Sequence, residues 1–243
     1  MKQVIYTLTE NIPLAQNIFR MRLTGDNSAI TTPGQFVNLK IDGCYLRRPI
    51  SVCDCRGEEL TLIYKVVGKG TEIMSKLPIG SQLDTLAGLG NGFTVSRGGE
   101  APLLIGGGVG VPPLYWLCRE LVAAGARPTV VLGFNSAADV FYTREFEELG
   151  ARVLLATADG SVGARGFVTD AVGDLDYTYF YSCGPEPMFR ALDKVLTTSG
   201  EYSFESRMGC GFGACMGCSC KTKYGNKRIC KDGPVLTREE VIW

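Results

Sequence analysis

Four cysteines near the end of the chain stand at a spacing that implies chemistry. In the stretch RMGCGFGACMGCSCKTKYGNKRIC, Arg207 to Cys230, the residues Cys210, Cys215 and Cys218 read C-x4-C-x2-C, and Cys230 follows after eleven intervening residues. Three thiolates from one tight loop and a fourth from beyond it are the plant-type arrangement for holding a [2Fe–2S] cluster. The loop must curl round a small inorganic core. Gly209, Gly211, Gly213 and Gly217 permit that curl because glycine accepts positive φ. Small residues also leave backbone N–H groups free to face cluster sulfurs and tune their potential. A structural zinc site also uses four thiolates, but its knuckles usually come as paired short spacings. Disulfides fit poorly, because nothing else in the chain points to an oxidising compartment. Cys220 stands outside the ligand pattern and reads as a small buried apolar residue.

Two further stretches suit phosphates and dinucleotides. GGGVGVPP, Gly106 to Pro113, lies between an expected strand and an expected helix. A helix start offers free N–H groups and the positive end of the dipole to a diphosphate, and Pro112 fits the first turn. The motif meets the Rossmann fingerprint only in part: Gly106 and Gly108 occupy the first two glycine places and Val111 the third. SCGPEPM, Ser182 to Met188, falls at another strand end, on the edge of the sheet where ligands of such folds bind. Its cysteine either sets a polarisable sulfur beside a nicotinamide ring or is simply a buried residue in a turn. LRRPISV, Leu46 to Val52, puts two arginines and a serine on a strand-like run. An arginine fork suits a phosphate, although a surface pair on an edge strand is the plainer alternative. YKVVGKGT, Tyr64 to Thr71, ends in a glycine-flanked turn whose N–H groups suit an anion.

These residues need elements to position them. Residues 2 to about 97 alternate β-rich runs (Gln3–Leu8, Ile18–Leu23, Gln35–Ile41, Leu60–Val67) with Gly, Pro, Asn and Asp punctuation, which predicts a small closed barrel. From Pro102 the pattern changes to strands alternating with helices: Leu103–Ile105, Pro112–Ala124, Thr129–Phe134, Glu145–Leu149, Arg152–Ala156, Val168–Val172, Tyr177–Ser182 and Pro187–Thr197. That alternation predicts an open parallel α/β sheet. In its first helix Leu114, Leu117, Cys118, Leu121 and Val122 share one face, and Gly125 suits the C-terminal stop. The expected fold class is therefore β plus α/β in three parts: a barrel over 1–97, a nucleotide-binding domain over 98–202 and a cluster segment over 203–243 that follows as a tail. The domain join is expected at Ser96–Ala101.

Composition narrows the function. The chain has 243 residues, with 25 basic and 25 acidic, so neither nucleic acid nor an anionic membrane is indicated as a partner. No apolar run approaches the roughly 18 residues of a membrane span, and the start MKQVIYTLTENIP lacks a signal layout. Ten cysteines without a disulfide framework suit a reducing cytoplasm. Histidine is absent, which argues against the commonest acid–base and metal-hydrolase mechanisms and is compatible with cofactor-borne hydride and electron transfer.

The order of motifs, R-P-x-S, then G-x-G-T, then GGG-x-G-x-x-P, then CGP, resembles the ferredoxin–NADP reductase superfamily. The C-x4-C-x2-C-x11-C ending, and RICKDGPVL from Arg228 to Leu236, make the whole chain similar to the electron-transfer subunits of type B dihydroorotate dehydrogenases. The resemblance implies that Arg48, Pro49, Ile50 and Ser51 hold FAD, with Arg48 on the diphosphate and Ser51 near the reactive flavin edge. It implies that Ile63, Tyr64 and Lys65 flank the FAD and that Gly70 and Thr71 close on its phosphates. Gly106, Gly107, Gly108 and Gly110 would bind the nicotinamide dinucleotide together with Cys183, Gly184 and Pro185. Cys210, Cys215, Cys218 and Cys230 would ligate the cluster.

The implied partner is an FMN-containing catalytic subunit that oxidises dihydroorotate to orotate in pyrimidine synthesis, two copies of each subunit forming a heterotetramer. No residue in this chain suits the role of base toward dihydroorotate, so that step would belong to the partner. Asn135 and Ser136, at the strand end Gly133–Ser136, offer no arginine to a 2′-phosphate, which favours NAD over NADP. Two alternatives share most of these motifs, the small subunit of an NADH-dependent ferredoxin–NADP oxidoreductase and a sulfide dehydrogenase-like flavoprotein. In the former an aspartate commonly replaces the first cluster cysteine, so Cys210 speaks against it. A zinc-bearing sensor or scaffold is a third alternative, and it would be colourless.

Overall fold

The computed structural model describes residues 1–173 and 175–243. Its N-terminal part is a closed antiparallel barrel of strands β1 (Lys2–Ala15), β2 (Ile18–Thr24), β3 (Phe36–Leu39), β4 (Arg48–Arg56), β5 (Glu59–Lys65) and β6 (Gln82–Leu89), in the order β1-β2-β5-β4-β3-β6. A short helix, α1 (Lys69–Ser75), bridges β5 and β6. Alternation does the folding: in β6 Leu83, Thr85, Ala87 and Leu89 are buried and their neighbours are not. Tyr6, Leu8, Met21, Leu23, Val37, Leu39, Leu60 and Leu62 fill the interior, each large side chain contributing about 1.5–3 kcal/mol. The first strand runs well past the expected Leu8. A bulge between Leu8 and Glu10 lets it keep pairing with β2, where Glu10 meets Arg20 at 2.7 Å.

The second part is a seven-stranded sheet in the order β10-β9-β8-β7-β11-β12-β15. Its strands are β7 (Leu103–Gly107), β8 (Thr129–Phe134), β9 (Arg152–Thr157), β10 (Ala164–Arg165), β11 (Phe180–Gly184), β12 (Gly200–Phe204) and β15 (Val235–Thr237), with helices α2 (Pro112–Ala123), α3 (Thr143–Glu148), α4 (Val168–Val172) and α5 (Glu186–Leu192) between them. On α2, Leu114, Leu117, Cys118 and Leu121 are buried, while Val122 is only half-buried at the edge of that face. The helix ends at Gly125, in the left-handed region at φ 87°. Its other face meets the barrel. Arg119 forms an ion pair with the buried Asp54 of β4 and donates to the carbonyl of Cys55 at 3.3 Å.

The end of the chain is not the appended tail that its composition suggests. Ser203 lies inside β12, and β15 returns antiparallel to β12 as the edge strand of the same sheet, so the sheet is not wholly parallel. Between them the cluster loop leads into a hairpin of β13 (Ser219–Thr222) and β14 (Gly225–Arg228), followed by α6 (Ile229–Asp232). Asn91, at the barrel exit, clamps this return. Its side chain bonds both the carbonyl and the N–H of Val235, at 2.7 and 3.0 Å. Glu240 is buried, pairs with Lys227 and accepts from the N–H of Thr237 at 2.8 Å. An isolated antiparallel hairpin is marginal in water, and these bonds anchor it to the larger sheet.

Candidate redox site

The cluster loop gathers the four cysteines as two pairs. Backbone N–H groups of Ala214 and Cys215 donate to Cys210 Sγ at 3.2 and 3.4 Å, and the N–H of Cys230 donates to Cys218 Sγ at 3.4 Å. Burial opposes ionisation of Cys210, but N–H groups from Cys215, Phe212 and Ala214 outweigh it and bring its pKa down to about 6. Burial and the neighbouring Cys218 push Cys230 up to about 12. Gly211 and Gly213 have φ of 80° and 90°, and a Cβ on Gly213 would run into the stem of Lys231. Arg228 fixes the loop from behind: it donates to the Gly213 carbonyl at 3.0 Å while its guanidinium pairs with Asp232 at 2.9 Å. Cys215 is exposed, whereas Cys218 and Cys230 are buried. Among the described residues no three Cys, Asp or Glu side chains converge on one point as a single-ion site would require. Two thiol pairs with N–H donors on the sulfurs suit a two-iron cluster, each iron taking two thiolates.

Cys220 is paired opposite Lys227 in the hairpin, away from the ligand loop, and burial raises its pKa.

In the barrel the structure separates the two arginines of LRRPISV. Arg47 is structural, with Nη2 at 3.0 Å and 3.1 Å from the two Asp84 oxygens and Nη1 on the Asp84 carbonyl at 2.7 Å. Arg48 has no carboxylate partner among the described residues. Its guanidinium lies against Gly70, where any Cβ would overlap it. A half-buried arginine held over a Cβ-free backbone, with its charge unmatched, fits an anionic diphosphate. Ser51 stands three residues on in β4, paired across from Phe36.

Tyr64 and Thr71 take roles that the motif did not announce. The Tyr64 ring stacks on Phe19 inside the barrel and its hydroxyl donates to Asn11 at 3.0 Å, leaving only backbone to face a ligand. Thr71 Oγ1 accepts from the N–H groups of Val67 and Gly68 at 2.9 and 3.2 Å, so the hydroxyl shapes the turn into α1.

A cavity of about 560 Å³ opens between the barrel and the α/β domain. It is lined by Ile18 and Lys65 from the one and by Gly107, Gly108, Phe134 and Pro185 from the other. Gly110 presses so closely on the Cys183–Gly184 backbone that a Cβ there has no space. This contact brings the two glycine motifs together at the carboxyl ends of β7 and β11, and neither Gly106, Gly110, Cys183 nor Gly184 lines the cavity itself. Cys183 is fully buried and burial raises its pKa, so it stays a thiol. Glu205 also borders the cavity, and desolvation raises its carboxyl pKa. Sequence patterning did not single out Glu205, Arg228 or Asn38. For Asn38 a signal was present, an amide inside the apolar run QFVNLKI.

Comparison with known proteins accounts for these parts together. Residues 205–242 match the model of the iron–sulfur cluster binding domain of dihydroorotate dehydrogenase B, and residues 104–194 match an oxidoreductase NAD-binding domain. The dihydroorotate dehydrogenase B (NAD(+)) electron transfer subunit of Shouchella clausii (strain KSM-K16) is 44% identical, over 99% of this chain and 98% of that protein. The subunit of the same name from Geobacillus sp. (strain WCH70) is 43% identical over 100% of this chain and 99% of its own length.

The chain belongs to this electron transfer subunit family. A structure of the NADH-dependent reduced ferredoxin–NADP oxidoreductase, described in terms of flavin-based electron bifurcation, superposes with a TM-score of 0.89 at 28% identity. The match covers 98% of this chain and 90% of that one. The flavohem-like FAD/NAD binding domain of nitric oxide dioxygenase from Vibrio cholerae O1 biovar El Tor shares the fold, with a TM-score of 0.68 at 21% identity over 78% of this chain and 90% of its own.

Proposed function

We propose that this chain is the electron-transfer subunit of an NAD-dependent dihydroorotate dehydrogenase in pyrimidine synthesis. It takes electrons from an FMN-bearing subunit that oxidises dihydroorotate and delivers them to NAD⁺. When bound, a [2Fe–2S] cluster and FAD supply the conversion between one-electron and hydride carriers that this requires.

The observation that carries the reading is the two-paired thiol loop seated on a barrel whose Arg48 and Gly70 form an anion cradle. The chain's own residues do the holding: Cys210 with Cys215, and Cys218 with Cys230, take the cluster. Arg48, Pro49, Ile50 and Ser51 take the FAD, with the backbone of Ile63, Tyr64 and Lys65 flanking it and Gly70 beside its phosphates. Gly106, Gly107, Gly108 and Gly110 with Cys183, Gly184 and Pro185 frame the NAD site at the cavity. Exposed Cys215 puts one cluster edge toward the partner, and two copies of each subunit form the working assembly. All ten cysteines are free, which suits a reducing cytoplasm. No helix among the described residues is long and apolar enough to cross a membrane.

The test is dihydroorotate-dependent reduction of NAD⁺ by the native protein purified anaerobically with its companion. Activity with an FMN-bearing companion is the expected result. A yellow-brown protein with another companion and no response to dihydroorotate overturns the substrate. Cys215→Ser should keep hydride exchange between FAD and NADH and abolish transfer from the partner, and retained transfer in a cluster-free variant overturns the relay order.

A further inference from the structure

Asn38 is an amide in a place built for apolar residues. It sits in β3 between Val37 and Leu39, is 1% exposed, and shares a fully buried strand with them and Phe36. Its Nδ2 donates to the backbone carbonyl of Cys210 at 3.3 Å. The next residue, Gly211, has no room for a Cβ against the same nitrogen. Its Oδ1 is buried and has no hydrogen-bond partner among the described residues. For stability alone this is a poor choice, because a half-satisfied buried amide is worse than an apolar side chain of its size. The residue opposite Asn38 on β4 is Pro49, within the stretch assigned to FAD.

We propose that Asn38 is a positioning residue for electron transfer, fixing the Cys210–Gly211 peptide, and with it one thiol pair of the cluster, against the flavin-bearing barrel. This rests on the reading of Cys210, Cys215, Cys218 and Cys230 as [2Fe–2S] ligands. The Nδ2–H bond polarises the Cys210–Gly211 peptide and strengthens any hydrogen bond that its N–H makes to sulfur. Such bonds favour the reduced, more negative cluster and so raise its potential. A donor on the barrel thereby tunes and places a cofactor held by the other end of the chain.

The experiment uses the intact complex and follows the cluster by EPR during a redox titration, with Asn38→Leu and Asn38→Asp beside the wild type. A wild-type spectrum lacking a [2Fe–2S] signal overturns the cluster reading itself, and this inference with it. With the cluster present, both variants should lower its potential and change its EPR anisotropy, Asn38→Asp more than Asn38→Leu because it adds a negative charge. A purely structural role would lower the melting temperature and leave potential and spectrum at their wild-type values, and that outcome overturns the proposal. Should neither variant assemble, the unaltered protein decides. Labelled with ¹⁵N-asparagine, it should show one carboxamide that is protected from solvent exchange and broadened by the cluster, and the absence of any such resonance overturns the contact.

Discussion

The guanidinium of Arg48 lies across the α-carbon of Gly70, so that a Cβ at residue 70 would overlap Nε, Cζ and Nη2. Strand β4 and the start of α1 meet at this point, and glycine is required by contact rather than by backbone conformation. The pair explains why R-P-x-S and G-x-G-T travel together in one chain: the second motif leaves the space that the first one's arginine fills.

Gly70→Ala should therefore displace Arg48 and release flavin. Hydrogen bonds to a charged partner contribute about 1.5–3 kcal/mol, so FAD affinity should fall about 10- to 100-fold, with Arg48→Ala giving a similar loss. Flavin content per subunit after dialysis measures it. The cluster's visible spectrum should persist in both variants, since the cysteine loop does not touch this pair.

Gly110→Ala tests the nucleotide half of the site. A Cβ there meets the Cys183–Gly184 backbone, which cannot yield as a flexible side chain can. The two loops at the ends of β7 and β11 must separate, and NADH-driven flavin reduction in stopped flow should slow by tenfold or more, with FAD content retained. A rate within twofold of wild type would show that the loops tolerate separation and that NAD binds elsewhere.

Much of this site was legible because thiolate spacing and glycine punctuation are local in sequence. C-x4-C-x2-C and GGGVG constrain a loop by themselves, and the α2 face from Leu114 to Leu121 follows from periodicity alone. What stayed hidden depends on long-range pairing. Nothing local in VLT, Val235–Thr237, says that it will become an edge strand on β12. The separation of Arg47 from Arg48 depends on Asp84, a residue 37 positions from Arg47, and the burial of Tyr64 depends on Phe19 and Asn11. The role of Thr71 was missed because its hydroxyl is consumed by the turn it belongs to.

Arg119→Met should loosen the seam between the barrel and the α/β domain. It removes the partner of a carboxylate that is only 8% exposed, although Arg56 still pairs with Asp54 at 2.8 Å. Because one cation remains, the loss should fall below the 3–5 kcal/mol of a fully broken buried pair, at about 1–3 kcal/mol. Thermal melting reads this directly. A change under 0.5 kcal/mol would mean that Arg56 compensates in full.

Acid should dissolve the Arg47–Asp84 contact in a defined order. The hydrogen bond from Arg47 holds Asp84 below the usual carboxylate range despite partial burial. A depressed folded pKa means that the contribution is present above the unfolded value, near 4, and is lost as pH falls through the folded one. Arg47→Met should thus be destabilised against wild type at pH 7 by about 1 kcal/mol, given its part-exposed setting. The gap should narrow as pH drops from about 5 toward 3. Urea midpoints across that range measure it, and a gap that stayed constant would assign the stabilisation to the stem of Arg47 rather than to its charge.

Cys220→Ser separates the spare thiol from the ligand set. Cys220 faces across the hairpin to Lys227, and burial keeps its thiol protonated, whereas Cys218, two residues earlier, has its sulfur on the N–H of Cys230. Strand alternation places residues two apart on the same face, but Cys218 lies before β13 begins at Ser219, in the loop. The loop therefore orients Cys218 and the hairpin orients Cys220. Serine at 220 should leave the cluster's absorbance and EPR spectrum unchanged, while serine at 218 should abolish or shift both. If the two variants lost the cluster alike, Cys220 would have to exchange into the ligand set, and the hairpin would have to open when the cluster binds.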